Sequence, residues 1–96
     1  MSRIRIEGET TVSKDIIARG VVNAVKGRLM AIKEEIQAID KDIELLRKKH
    51  GIDDEDFMLK FTNGDLGDDE DFFVWESSLK LRKSLVDEQA ALREAL

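Results

Sequence analysis

Residues 22–46 read VNAVKGRLMAIKEEIQAIDKDIELL. Within this stretch Val22, Val25, Leu29, Ile32, Ile36, Ile39, Ile43 and Leu46 follow a 3-4-3-4-3-4-3 spacing with no polar residue on the line. That alternation keeps one apolar edge along a gently supercoiled helix, where each side chain can fill a hole on a facing helix. Such a seam binds helices rather than substrates.

The helix extends outward from this seam. Between Lys14 and His50 only Gly20 and Gly27 weaken helix formation, each by roughly 1 kcal/mol. Arg47, Lys48 and Lys49 suit a last turn, and Gly51 is a natural stop. A helix over 14–50 is therefore predicted, ~55 Å long at ~1.5 Å per residue. Thr10, Thr11 and Ser13 are candidate N-caps, with Asp15 in the first turn. Upstream, Arg3-Ile4-Arg5-Ile6-Glu7 alternates polar and apolar residues up to Gly8. That alternation predicts a short N-terminal strand or arm within 1–12.

Downstream, Asp53-Asp54-Glu55-Asp56 precedes Phe57, Met58, Leu59 and Phe61, the order of a short helix over 53–62 with an acidic first turn. Asn63-Gly64-Asp65-Leu66-Gly67 is a turn, and Asp68 or Asp69 can cap a return helix over 68–95. On that helix Val74, Leu81, Leu85, Leu92 and Ala95 fit one stripe, which Ser78 and Glu88 also join; Phe72, Trp75, Leu79 and Val86 form its neighbour. The fold class that follows is all-α: a single-domain antiparallel helical hairpin, coiled-coil-like, with a short connecting helix and a short N-terminal arm.

One seam on one helix needs a second helix to cover it, and a further line points to a third. Ile17, Ala24, Ala31, Ala38 and Leu45 recur every seven residues on another edge. Small residues at a fixed heptad position let a second backbone approach closely, while alanine on a half-exposed face is also simply a good helix former. Ala24, Ala31 and Ala38 thus join the eight seam residues as an expected oligomer surface, and a homodimer is one expected assembly.

The totals fit this picture. Of 96 residues, 39% are charged and 42% hydrophobic, without proline, a balance typical of long helices and coiled coils. With no cysteine, disulfides and thiolate metal sites are excluded. No apolar run is long enough for a bilayer span and no signal peptide is evident, so a cytoplasmic location without membrane contact is expected. The net charge of -5 is uneven: residues 1–52 hold 11 Lys/Arg and 8 Asp/Glu, and residues 53–96 hold 5 and 13. An acidic second half suits a basic protein partner, although acidic surfaces also serve solubility, and it disfavours bulk nucleic-acid binding.

No catalytic constellation is present. The single histidine, His50, stands at a helix end, where a protonated imidazole suits the dipole. No phosphate loop or dinucleotide fingerprint occurs. A calcium-loop pattern started at Asn63 fails, because its fifth and sixth positions are Gly67 and Asp68. No enzyme activity, cofactor or metal is expected. Trp75 and the Phe72-Phe73 pair follow the acidic turn, and two roles are open to them: anchors for a partner, or a plug of the hairpin end against Phe57 and Phe61.

The run His50-Gly51-Ile52, Phe57, Lys60-Phe61, Gly64-Asp65-Leu66-Gly67-Asp68-Asp69, Phe72 and Trp75-Glu76 resembles a segment of small helical antitoxin-like proteins of archaea and bacteria. The resemblance covers about a quarter of the chain. It implies a non-enzymatic antidote that wraps a toxin encoded beside it, commonly a ribonuclease. On this reading Phe72, Trp75, Asp68, Asp69 and Asp71 would meet a basic partner while helix one oligomerises. The alternatives are a self-assembling coiled-coil adaptor and, third, a DNA-binding regulator using Arg3 and Arg5. The arm weakly resembles the opening of ribbon-helix-helix DNA binders, but that fold needs a short first helix.

Overall fold

The computed structural model describes residues 7–96, with side chains from Ser13 onward. It holds three helices: α1 (Glu7–His50), α2 (Asp54–Thr62) and α3 (Glu70–Glu94). The expected arm, with Arg3 and Arg5, falls largely outside the described residues. From Glu7 the chain is already helical, so Gly8, Thr10, Thr11 and Ser13 lie within α1 rather than ending an arm or capping a later start.

Each later boundary has a local cause. Gly51, at φ +67°, adopts the left-handed conformation that closes α1, and its N–H donates to the Arg47 carbonyl at 2.7 Å. Asp53 caps α2, its carboxylate accepting from the Asp56 N–H at 2.8 Å. Gly64, at φ +73°, turns the chain after α2. Of the two candidate caps for α3, Asp69 takes the role, accepting from the Asp71 N–H at 2.9 Å.

α3 returns along α1. The cross-helix pairs Lys49–Asp71, Asp40–Arg82 and Arg28–Glu88 step down one helix as they step up the other, which makes the hairpin antiparallel. The molecule is a rod of 68 × 22 × 21 Å. α3 is the shorter helix, 25 residues against 44. By the register of Arg28 with Glu88, Glu94 stands opposite Val22, and α1 continues about 20 Å beyond it.

The core is concentrated at the closed end. Ile43, Leu46, Phe57 and Trp75 form one cluster, with Phe61, Phe72 and Leu79 packed against it. The Phe57 and Trp75 rings stack with centroids 4.1 Å apart and planes 2° apart, so α2 closes the hairpin like a lid. Ile32 and Leu85 are buried farther up the rod. Val25, Leu29, Ile36 and Ile39 are half-buried, while Val22 is 38% exposed at the level where α3 ends.

On α3 the two stripes divide the work differently from the sequence expectation. Leu85 and Leu92 turn inward, but Val74 and Leu81 face solvent and Ala95 is exposed. Trp75, the largest side chain, takes the interior and sets the rotation of the helix; Leu79, four residues on, follows it inward.

Candidate interaction surface

The closed end is strongly acidic. Residues 53–71 contain nine Asp/Glu and one Lys/Arg, Lys60. They cluster because two helix starts meet there, α2 and α3 each placing carboxylates in a first turn and at its cap.

The five residues expected to meet a partner separate into distinct environments. Trp75 is fully buried, so it is a core residue of the hairpin and not a surface anchor. Its indole N–H donates to Asp54 Oδ1 at 3.0 Å. Phe72 is half-buried with its ring centroid 4.8 Å from that of His50. Asp71 is half-buried and accepts from Lys49 Nζ at 2.7 Å, with His50 Nε2 at 2.9 Å from the same oxygen. Asp68 and Asp69 are exposed.

Of the Phe72-Phe73 pair it is Phe73 that turns to solvent, 55% exposed, and beside it Val74, expected on an interior stripe, is 48% exposed. With Glu70, Ser77, Ser78 and Leu81 they line an open groove of about 370 Å³ on the outer side of α3. The Phe73 ring meets Phe61 edge-on at 5.9 Å. A signal for this was present, because successive helical residues point about 100° apart, and Phe72 and Phe73 could not both enter one core.

A second cleft, about 580 Å³, lies between α1 and α3 beside Asp40, Arg47, Asp54 and Arg82. Two of its ion pairs join different helices. Arg47 Nε donates to Asp54 Oδ1 at 3.0 Å, and Arg82 Nε donates to Asp40 Oδ1 at 2.6 Å. The Arg47 hydrogen bond holds the Asp54 carboxyl below the usual aspartate range; partial burial opposes the shift and the Trp75 N–H adds to it. Lys49 and then His50 lower Asp71 in the same way.

His50, Asp69 and Asp71 place one potential metal-ligating atom each within 4.8 Å of one another. Their polar atoms already serve the fold. Asp71 Oδ2 accepts from the Lys49 ammonium, and Asp69 Oδ1 caps α3. Along α1, Ala24 and Ala38 are exposed and Ala31 is half-buried, flanked by Ile17 and Leu45 at 64% and 66% exposure. No described helix is long and apolar enough to cross a membrane.

Comparison of the chain with protein families, with curated proteins and with solved structures finds no match in any of the three.

Proposed function

We propose that the chain is a non-enzymatic interaction module of the antitoxin type, binding and neutralising a basic protein partner through the closed end of the hairpin. The observation that carries this reading is the exposed apolar face of Phe73, Val74 and Leu81, bordered by Glu70 and following directly on the exposed Asp68 and Asp69. Apolar anchors beside an acidic turn suit a basic amphipathic segment: the aromatic supplies burial, and the charge supplies steering and orientation. The Phe57 and Trp75 rings stack α3 against α2, and the Phe73 ring rests edge-on against Phe61, so this anchor already has an ordered neighbour before binding.

A second reading, a self-assembling coiled-coil adaptor, is favoured by the exposed aliphatic side chains where α1 runs past α3. One experiment separates the two. The tagged chain and its Phe73→Asp variant are recovered from the native cell, and the intact complexes are weighed by mass spectrometry. A stoichiometric, small, basic partner that the variant fails to hold, and whose toxicity the wild-type chain relieves on co-expression, supports the antidote reading. Recovery of the chain alone, at a fixed multiple of 10.9 kDa, retires it in favour of self-assembly.

A further inference from the structure

We infer that two copies of this chain pair side by side and head to tail, the α1 overhang of each lying in the α3 groove of the other. This rests on the reading of the Phe73 face as a docking surface and gives that face an occupant drawn from the chain itself. Both halves of the contact are present on one molecule. α1 continues about 20 Å past the end of α3, and on that overhang Ile17 and Val21 are 64% and 57% exposed. Among the described residues, no segment of the hairpin covers them. At the other end of the rod, Phe73, Val74 and Leu81 are 55%, 48% and 51% exposed along the groove.

The two faces match in spacing, size and charge. Lys14, Ile17 and Val21 follow an i, i+3, i+7 line, and so do Glu70, Phe73 and Ser77, so each set lies along one side of its helix. In register, Lys14 meets Glu70, Ile17 meets Phe73, and Val21 falls over Ser77 and Ser78, where small side chains leave room between Val74 and Leu81. Ala18 in turn leaves room for Val74. Large side chains thus sit over small ones in both directions. Lys14 and Glu70 are exposed, and neither has an ion-pair partner among the described residues. Residues 10–22 carry Lys14 and Arg19 against Asp15, whereas residues 53–71 hold nine Asp/Glu and one Lys/Arg, so the overhang is drawn to the closed end.

Charge also sets the direction. Glu70 is the one charged residue lining the groove, and it stands at the acidic end. Lys14 reaches it when α1 runs parallel to the partner's α3; reversed, Lys14 falls beside Leu81. Because α3 is antiparallel to α1 within each copy, the two α1 helices are then antiparallel to one another. The register closes on itself. Within one copy, Lys49–Asp71 and Asp40–Arg82 place Phe73 level with Lys48. Ile17 level with the partner's Lys48 puts the partner's Ile17 level with Lys48 of the first copy, beside its Phe73. One two-fold operation therefore makes both contacts and fills both grooves. Each α1 packs against its own α3 and the partner's, the arrangement of a four-helix bundle.

The absence of cysteine makes the test direct. Lys14→Cys and Glu70→Cys, mixed and oxidised, are expected to link to twice the 10.9 kDa of one chain, and neither is expected to link when oxidised alone. The double variant Lys14→Cys/Glu70→Cys is expected to stop at two chains, with both links inside one dimer. Wild-type protein at high micromolar concentration is expected to sediment as the dimer, and Ile17→Asp/Val21→Asp as the monomer with unchanged helical circular dichroism. A wild-type monomer under those conditions, or a dimer whose mixed cysteine variants do not link, overturns the inference. A ladder of higher multiples from the double variant overturns the two-fold closure. Partner binding is read separately, because Ile17→Asp/Val21→Asp leaves the Phe73 face intact. A wild-type monomer that holds a basic partner, lost in Phe73→Asp, removes the pairing and leaves the antidote reading standing; a linked dimer that holds no such partner does the reverse.

Discussion

Replacing Asp54 by alanine removes a carboxylate that the buried Trp75 indole and the half-exposed Arg47 share. Its Oδ1 accepts from the indole N–H of Trp75 and from Arg47 Nε, each at 3.0 Å, and Trp75 is fully buried. Without an acceptor the indole N–H keeps its desolvation cost, about 1–3 kcal/mol. The Arg47 pair is 40% and 31% exposed, so screening limits its share to roughly 0.5 kcal/mol. Loss of a first-turn carboxylate from α2 adds about 0.5 kcal/mol. The total, about 2–4 kcal/mol, corresponds to a fall of at least ~8 °C in Tm for a chain of this size. Asp54→Asn retains an oxygen for the indole and is expected to cost only about 1 kcal/mol. Urea unfolding followed by Trp75 fluorescence and by far-ultraviolet circular dichroism measures both variants. Equal stability of the two, within ~0.5 kcal/mol, would refute the assignment of the cost to the stranded indole. A Trp75→Phe background supplies the cross-check: with the donor gone, Asp54→Ala should lose most of its penalty.

Other perturbations follow from the same structure. Ile32→Ala, at a position with no exposure, is expected to cost about 2–5 kcal/mol in urea, while Met30→Ala, 68% exposed two residues away, should stay within ~0.5 kcal/mol. Gly51→Ala forces a side chain into φ +67° and should destabilise by about 1 kcal/mol. Gly27→Ala, with open space around the added methyl group, should instead stabilise α1 by up to ~1 kcal/mol; thermal melts of the pair should shift in opposite directions. Asp54, Asp71 and Glu88 are all held below their ordinary values of 3.8, 3.8 and 4.5 by Arg47, Lys49 and Arg28 respectively. Folded values below unfolded ones mean that their stabilisation is complete above the unfolded values and is lost as pH falls through the folded values. Urea midpoints should therefore decline in acid below about pH 4.5, with less of the decline in Arg28→Gln, and a midpoint unchanged down to pH 2.5 would contradict these pairings.

Much of the fold was legible because its signals are local. The spacing from Val22 to Leu46, the glycine at 51, and the carboxylates at 53 and 69 each act within a turn or two of themselves, and the helices end where those residues place them. The start of α1 was harder to read, since Thr10, Thr11 and Ser13 are good cap types and yet lie within the helix. The face of α3 was misassigned for another reason. Heptad counting treats Val74 and Trp75 as equal claimants to the interior, whereas the larger buried area of an indole decides the rotation. That same decision divided the expected anchors, putting Trp75 inside and leaving Phe73 out. Charge gathered at one end was visible in the composition, but its association with an apolar groove is a consequence of tertiary rotation and is encoded in no short window.

The uneven core also gives the rod a mechanical polarity. Arg28 and Glu88 form the cross-helix ion pair farthest from the aromatic plug, and both ends of the described hairpin lie on that side. A load applied between those ends would act on one turn of the interface at a time, peeling it from the open end toward Trp75. The resistance should rise late, when the stacked rings at 4.1 Å are reached. Pulled instead along its axis from the closed end and the α1 terminus, the same molecule would bear load along α1, whose backbone hydrogen bonds lie in series. One hairpin would thus act as a zipper in one direction and a strut in the other.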